Sequence, residues 1–92
     1  VIQSFRCEDT HDLFITGRSR RWSNVLSVAV RKLDQLDAAA TLDDLRIPPG
    51  NRLEALKFDR QGQHSIRIDD QWRICFEWKV DGPYNVEIVD YH

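Results

Sequence analysis

No apolar run in the sequence approaches the ~20 residues that a membrane-spanning helix needs. The opening residues carry no leader pattern, because Arg6, Glu8 and Asp9 interrupt any apolar stretch. Cysteine is scarce. Cys7 and Cys75 form no close pair, and small secreted domains held by disulfides are far richer in it. The expectation is two reduced thiols in a cytoplasmic protein, with no membrane partner. The three histidines, His11, His64 and His92, lie far apart and match no metal-ligand spacing, so neither a metal nor another cofactor is expected. A basic excess is missing too. The 13 Lys+Arg stand against 15 Asp+Glu, a formal charge of −2. That balance counts against a generic nucleic-acid binder, though not against a protein that gathers its cations on one face. There are no repeats or low-complexity tracts, and 92 residues leave room for a single domain over 1–92.

What is present reads as an ordinary globular chain, 41% hydrophobic and 30% charged. The stretch from His64 to Trp78 dominates it. Ile66 and Ile68, then Trp72, Ile74, Phe76 and Trp78, alternate with Ser65, Arg67, Asp69, Arg73, Cys75 and Glu77 around a break at Asp69-Asp70-Gln71. This predicts two half-buried strands and a tight turn, with a core face carrying two tryptophans. The other face would put two guanidinium groups on a stiff platform, suited to a phosphate or a carboxylate.

The remaining elements follow in order. Ile2–Cys7 reads as a short strand. Thr10 or Asp9 is placed to cap a helix through Phe14 that Gly17 ends. Arg18, Arg20 and Arg21 read either as a solvated connector or as a contact to a polyanion or acidic partner. From Ser23 to about Ala39, Trp22, Val25, Leu26, Ala29, Leu33 and Leu36 recur at helical spacing, leaving Arg31, Lys32, Asp34 and Gln35 as the wet side. Thr41–Leu45 looks like one capped turn, and Pro48-Pro49-Gly50 redirects the chain. Asn51–Lys57 is the next strand, Phe58–Gly62 a turn, and Val86–Asp90 the last strand. The layout is α+β with antiparallel pairing through the final part.

The chain closes on Asp90-Tyr91-His92. An imidazole titrates near neutrality and suits proton transfer. A phenol stacks and donates a hydrogen bond, and nearby arginines can steady added charge on a phosphate. These are the parts of a metal-free ribonuclease driven by the ribose 2′-hydroxyl. Taken alone, the same residues also read as surface groups, with Arg67 and Arg73 paired to Asp69, Asp70 or Glu77.

The segments Asn51-Arg52-Leu53-Glu54-Ala55-Leu56-Lys57, Ser65-Ile66-Arg67-Ile68, Gln71-Trp72-Arg73-Ile74-Cys75-Phe76 and Val86-Glu87-Ile88-Val89-Asp90-Tyr91-His92 resemble the HigB toxins of the RelE/ParE superfamily, in particular a GraT-like subgroup. Ile2-Gln3-Ser4-Phe5 and Arg20-Arg21-Trp22 extend the resemblance to nearly the whole chain. It implies a RelE/ParE-like fold: an N-terminal strand and two helices packed on a mostly antiparallel five-stranded sheet. It implies an mRNA interferase acting at the ribosomal A site. It also implies a HigA-like antitoxin with a helix-turn-helix domain and a hetero-oligomeric complex with it. By position, Arg73 would hold the scissile phosphate and His92 would act as general acid or base. Tyr91 and Asp90 would position base and histidine, and Lys57 would add a cation. Glu54 stands where better-studied relatives have a histidine, and Arg67, Arg60 and His64 would contact RNA. Phe58 replaces a glycine common after that lysine. Alternatives are a ParE-like gyrase inhibitor and a non-catalytic binding module. The antitoxin surface could lie near Arg20 and Arg21 or over the cleft.

Overall fold

A computed structural model describes residues 1–90 of the protein. The expected terminal pair, Tyr91 and His92, lies outside the described residues. Two helices, α1 (Glu8–Thr16) and α2 (Leu26–Ala38), precede four strands: β1 (Glu54–Ala55), β2 (His64–Arg67), β3 (Trp72–Lys79) and β4 (Gly82–Asp90). The strands form one antiparallel sheet in chain order. Sequential order follows from the short links, which leave each strand no partner nearer than the one just made.

The predicted hairpin is the centre of this sheet. Ile66 pairs with Ile74, and these two, with Phe76, Val86 and Ile88, form a core with Leu13, Ala29, Leu33 and Leu36 of the helices. Of the two tryptophans on this face, Trp72 meets the fully buried Trp22 edge-on, with ring centroids 6.1 Å apart. Burying aliphatic and aromatic side chains of this size contributes about 1.5–3 kcal/mol each.

Several expectations need correction. The five-stranded sheet has four strands among the described residues. The Ile2–Cys7 segment runs beside β4 but makes only one isolated parallel bridge, Phe5 to Val86. Val86 bonds to Ser4 and Arg6 on either side of Phe5, but the next β4 amide on that edge, Ile88, is taken by the Thr10 hydroxyl, so the ladder goes no further. The Asn51–Lys57 strand shrinks to two residues. Asn51 closes a 3-10 turn over Pro49–Asn51, and left-handed Arg52 (φ 46°) and Phe58 (φ 58°) bound what remains. The main helix starts at Leu26, after a 3-10 turn over Ser23–Val25.

Thr10 does not cap α1, whose N-cap is Cys7 with no side-chain bond. Its buried hydroxyl accepts from the Ile88 amide at 3.1 Å and ties α1 to β4. Lys32 is not on the wet side. It is 6% exposed and donates to the side-chain oxygen of fully buried Asn51. Asn51 in turn donates to the Leu45 carbonyl and to Gln35, each at 3.0 Å. Helical spacing alone cannot reveal such a polar plug, because its partner lies outside the helix. Two local expectations hold, the second with its turn one residue further along. Gly17 ends α1 with φ 71° and its amide on the Leu13 carbonyl, and Thr41 with Asp44 forms a reciprocal cap on the turn Leu42–Arg46.

Candidate active site

On the sheet face opposite the core, strand register alone sets the neighbours. Glu54 lies across from Ser65, Ser65 from Cys75, and Cys75 from Glu87, one row through all four strands. The adjacent row sets Arg67 across from Arg73 and Arg73 across from Val89. Strand alternation puts both rows on the same side. Beside them lies a groove of about 410 Å³ lined by residues 54–60 together with Cys75, Val89 and Asp90.

Arg73 is buried at 6% exposure, so it is held inside this face and does not stand on an open platform. Its Nε donates to the Ser65 hydroxyl at 2.8 Å. Its Nη2 donates to the Arg52 carbonyl at 2.7 Å and lies 3.5 Å from the Glu54 carboxylate. The left-handed turn at Arg52 brings that carbonyl to the guanidinium. These bonds orient the Arg73 head with its charge toward Glu54. The Glu54 side chain is 45% exposed, so one side of this pair is open to the groove.

Lys57 and Arg60 sit on the same groove wall. Arg60 donates to Gln63 and to Glu87, the latter at 3.2 Å, and Arg6 approaches Glu87 at 3.7 Å. Asp90 borders the groove from β4, and its carboxylate accepts from the Gln71 side chain at 3.1 Å. The groove therefore brings together Glu54, Lys57, Arg60 and Asp90, with Arg73 behind Glu54.

Two expected RNA contacts lie elsewhere. Arg67 is next to Arg73 across the strands but is paired with Asp70. His64 lies on the core side of the sheet, stacked on Phe76 at 6.3 Å between centroids. Its Nδ1 is buried with no partner among the described residues. Burial lowers its pKa, and the Arg46 charge adds to the effect. Arg21, one of the arginines considered for the antitoxin surface, is engaged with Asp9 at 3.2 Å and lies over the Trp22 ring at 4.7 Å.

Sequence reasoning put Ser65 and Cys75 on this face beside Arg73 but gave neither a role in the site. Ser65 orients the guanidinium. Cys75 forms part of the groove lining, and burial pushes its thiol pKa up; Arg60 and Arg73 oppose that, while Glu87 and Glu54 reinforce it. A thiol held protonated is a poor nucleophile, so Cys75 fills space here. Among the described residues no group of three or more histidine, cysteine, aspartate or glutamate side chains could hold a metal ion. No helix is long and apolar enough to cross a membrane.

Chemically, the arrangement offers a carboxylate beside a guanidinium, with an ammonium-bearing residue on the same groove wall. Comparison with known proteins gives this chemistry a context. Residues 3–92 match the HigB-like toxin family, described as the RelE-like toxin of the type II toxin–antitoxin system HigB. The chain is 50% identical over 60 residues to Toxin HigB-1 of Vibrio cholerae, a match spanning 65% of this chain and 62% of that protein. It is 39% identical over 79 residues to an uncharacterized protein of Haemophilus influenzae, spanning 86% of this chain and 71% of that one.

Proposed function

The chain belongs to the HigB-like toxins, RelE-like toxins of type II toxin–antitoxin systems, and we propose that it is a ribosome-dependent endoribonuclease that cuts messenger RNA during translation. The observation that carries this reading is the Arg73–Glu54 pair at 3.5 Å, open to a groove that Lys57 also lines. In the proposed reaction the ribose 2′-hydroxyl attacks the adjacent phosphorus as its proton passes to a base. The bond to the 5′ oxygen breaks, and that oxygen takes a proton as it leaves. The products are a 2′,3′-cyclic phosphate and a 5′-hydroxyl end.

An entering phosphate competes with the Glu54 carboxylate for the Arg73 guanidinium. Once the phosphate holds Arg73, Glu54 is released beside the 2′-hydroxyl, where it can act as general base. Arg73 and Lys57 then offset the charge that builds on the phosphate oxygens. Asp90 leads the chain into Tyr91 and His92, assigned to base positioning and to protonation of the leaving oxygen.

The groove is not uniformly basic, since Glu54, Asp59 and Asp90 line it with Lys57 and Arg60. Such a surface has little long-range pull on free RNA. Dependence on the ribosomal A site to present the message follows from that weakness. The proposed setting is the cytoplasm, with a HigA-like helix-turn-helix antitoxin bound to the toxin in a hetero-oligomer.

The test is to map RNA ends after brief induction of wild type, Arg73→Ala and His92→Ala. New 5′ ends inside translated codons in wild type, absent from both variants with folding intact, support the reading. Growth arrest with whole transcripts and a DNA-damage response would instead assign the protein to gyrase inhibition.

A further inference from the structure

Phe58 is the anomaly of the groove. It is 89% exposed, although it is a large aromatic side chain. Its backbone is in the left-handed region at φ 58°, which is costly for any bulky residue and is usually kept where function over-determines it. It neither caps a strand nor fills the core, and the 3-10 turn Phe58–Arg60 would form equally well from a residue that tolerates this dihedral. Phe58 lines the groove and lies in the chain between two cations that line it as well, Lys57 immediately before it and Arg60, itself held by Glu87 at 3.2 Å, two residues after.

We propose that the Phe58 ring is a stacking platform for one nucleobase of the single-stranded RNA in the groove, with the neighbouring Lys57 supplying charge for an adjoining phosphate. The choice of RNA as occupant rests on the nuclease reading. Every base has a π-face, so the platform would add affinity at one nucleotide without reading a particular sequence, and stacking of this kind does not need a basic surface. That suits a groove whose acidic and basic residues nearly balance. A solvent-exposed ring contributes little to folding, so a ligand that it would cover accounts for its place on a strained backbone.

The experiment compares wild type, Phe58→Gly and Phe58→Tyr. Each is titrated with a short single-stranded oligoribonucleotide that carries 2-aminopurine and is protected from cleavage by 2′-O-methyl groups, at low ionic strength. Stacking quenches 2-aminopurine fluorescence. Wild type and Phe58→Tyr are expected to quench. Phe58→Gly is expected to lose the quenching and to bind roughly tenfold more weakly, while unfolding at higher urea because glycine accepts the left-handed backbone.

Equal quenching and affinity in Phe58→Gly would overturn the proposal, as would an absence of quenching by wild type. So would a Phe58→Gly protein that binds RNA normally but loses affinity for the antitoxin, since the ring would then belong to a protein interface. Message cleavage in a translating extract is scored separately. Wild type that quenches but cuts nothing leaves the platform standing and sinks the nuclease reading. Wild type and Phe58→Gly that cut equally well while neither quenches do the reverse.

Discussion

At the scale of single residues, Arg73 and Glu54 do different work although they form one pair. Arg73 is buried, and its donors satisfy the Ser65 hydroxyl and the Arg52 carbonyl. Glu54 is half exposed and shares only part of that network. Replacing Arg73 by methionine leaves buried acceptors unpaired and should cost about 1–3 kcal/mol, seen as a lower urea midpoint, besides abolishing cleavage. Replacing Glu54 by glutamine keeps the shape but removes a countercharge beside buried Arg73, and should lower the urea midpoint. If Glu54 is the base, single-turnover cleavage by that variant should fall by about 100-fold or more. A Glu54→Gln enzyme that cuts at the wild-type rate would remove Glu54 from the mechanism and leave His92 as the base.

Elements are joined here by buried polar ties as well as by the apolar core. The Thr10 hydroxyl satisfies the Ile88 amide, so α1 is fastened to β4 two residues before the strand reaches Asp90. Thr10→Val keeps the volume but leaves that amide without an acceptor. The expected cost is about 1–3 kcal/mol, with an unchanged denaturant slope and faster amide exchange at Ile88. Gly82 makes a second join. Its φ is 130°, and an added Cβ would lie 2.6 Å from the Val1 carbonyl oxygen, so no other residue fits where the N-terminal segment crosses the β3–β4 turn. Asn51 joins α2 to the turns that lead into β1, and so fixes the approach of Glu54 to the sheet.

The whole molecule should lose stability on mild acidification. The His64 pKa is lowered by burial and by Arg46, so the unfolded chain holds more protons than the folded one as pH falls past the ordinary imidazole value of about 6.5. Stability is full above that value and declines below it. Asp44 has the same sign in a more acidic window, because the Thr41 and Ala40 amides bind its carboxylate and lower its pKa. Replacing His64 by phenylalanine removes the imidazole while keeping a ring against Phe76. Urea midpoints measured between pH 7.5 and 5 should then fall less steeply than in wild type. An unchanged slope would show that His64 is not the source.

Much of this was legible from residue order. The alternation of Ile66, Ile68, Ile74 and Phe76 set which face of the hairpin is core, because successive side chains of a strand must point to opposite sides. Gly17 marked a helix end, and Thr41–Leu45 read as a capped turn, because these signals act within a few residues. Tertiary structure alone decided that Lys32 is buried on Asn51, that Thr10 serves Ile88, that Ile2–Cys7 stops at one bridge, and that Arg73 faces Glu54. Each of those depends on groups brought together from distant parts of the chain, where closure of the fold sets the distance and local periodicity carries no information about the partner.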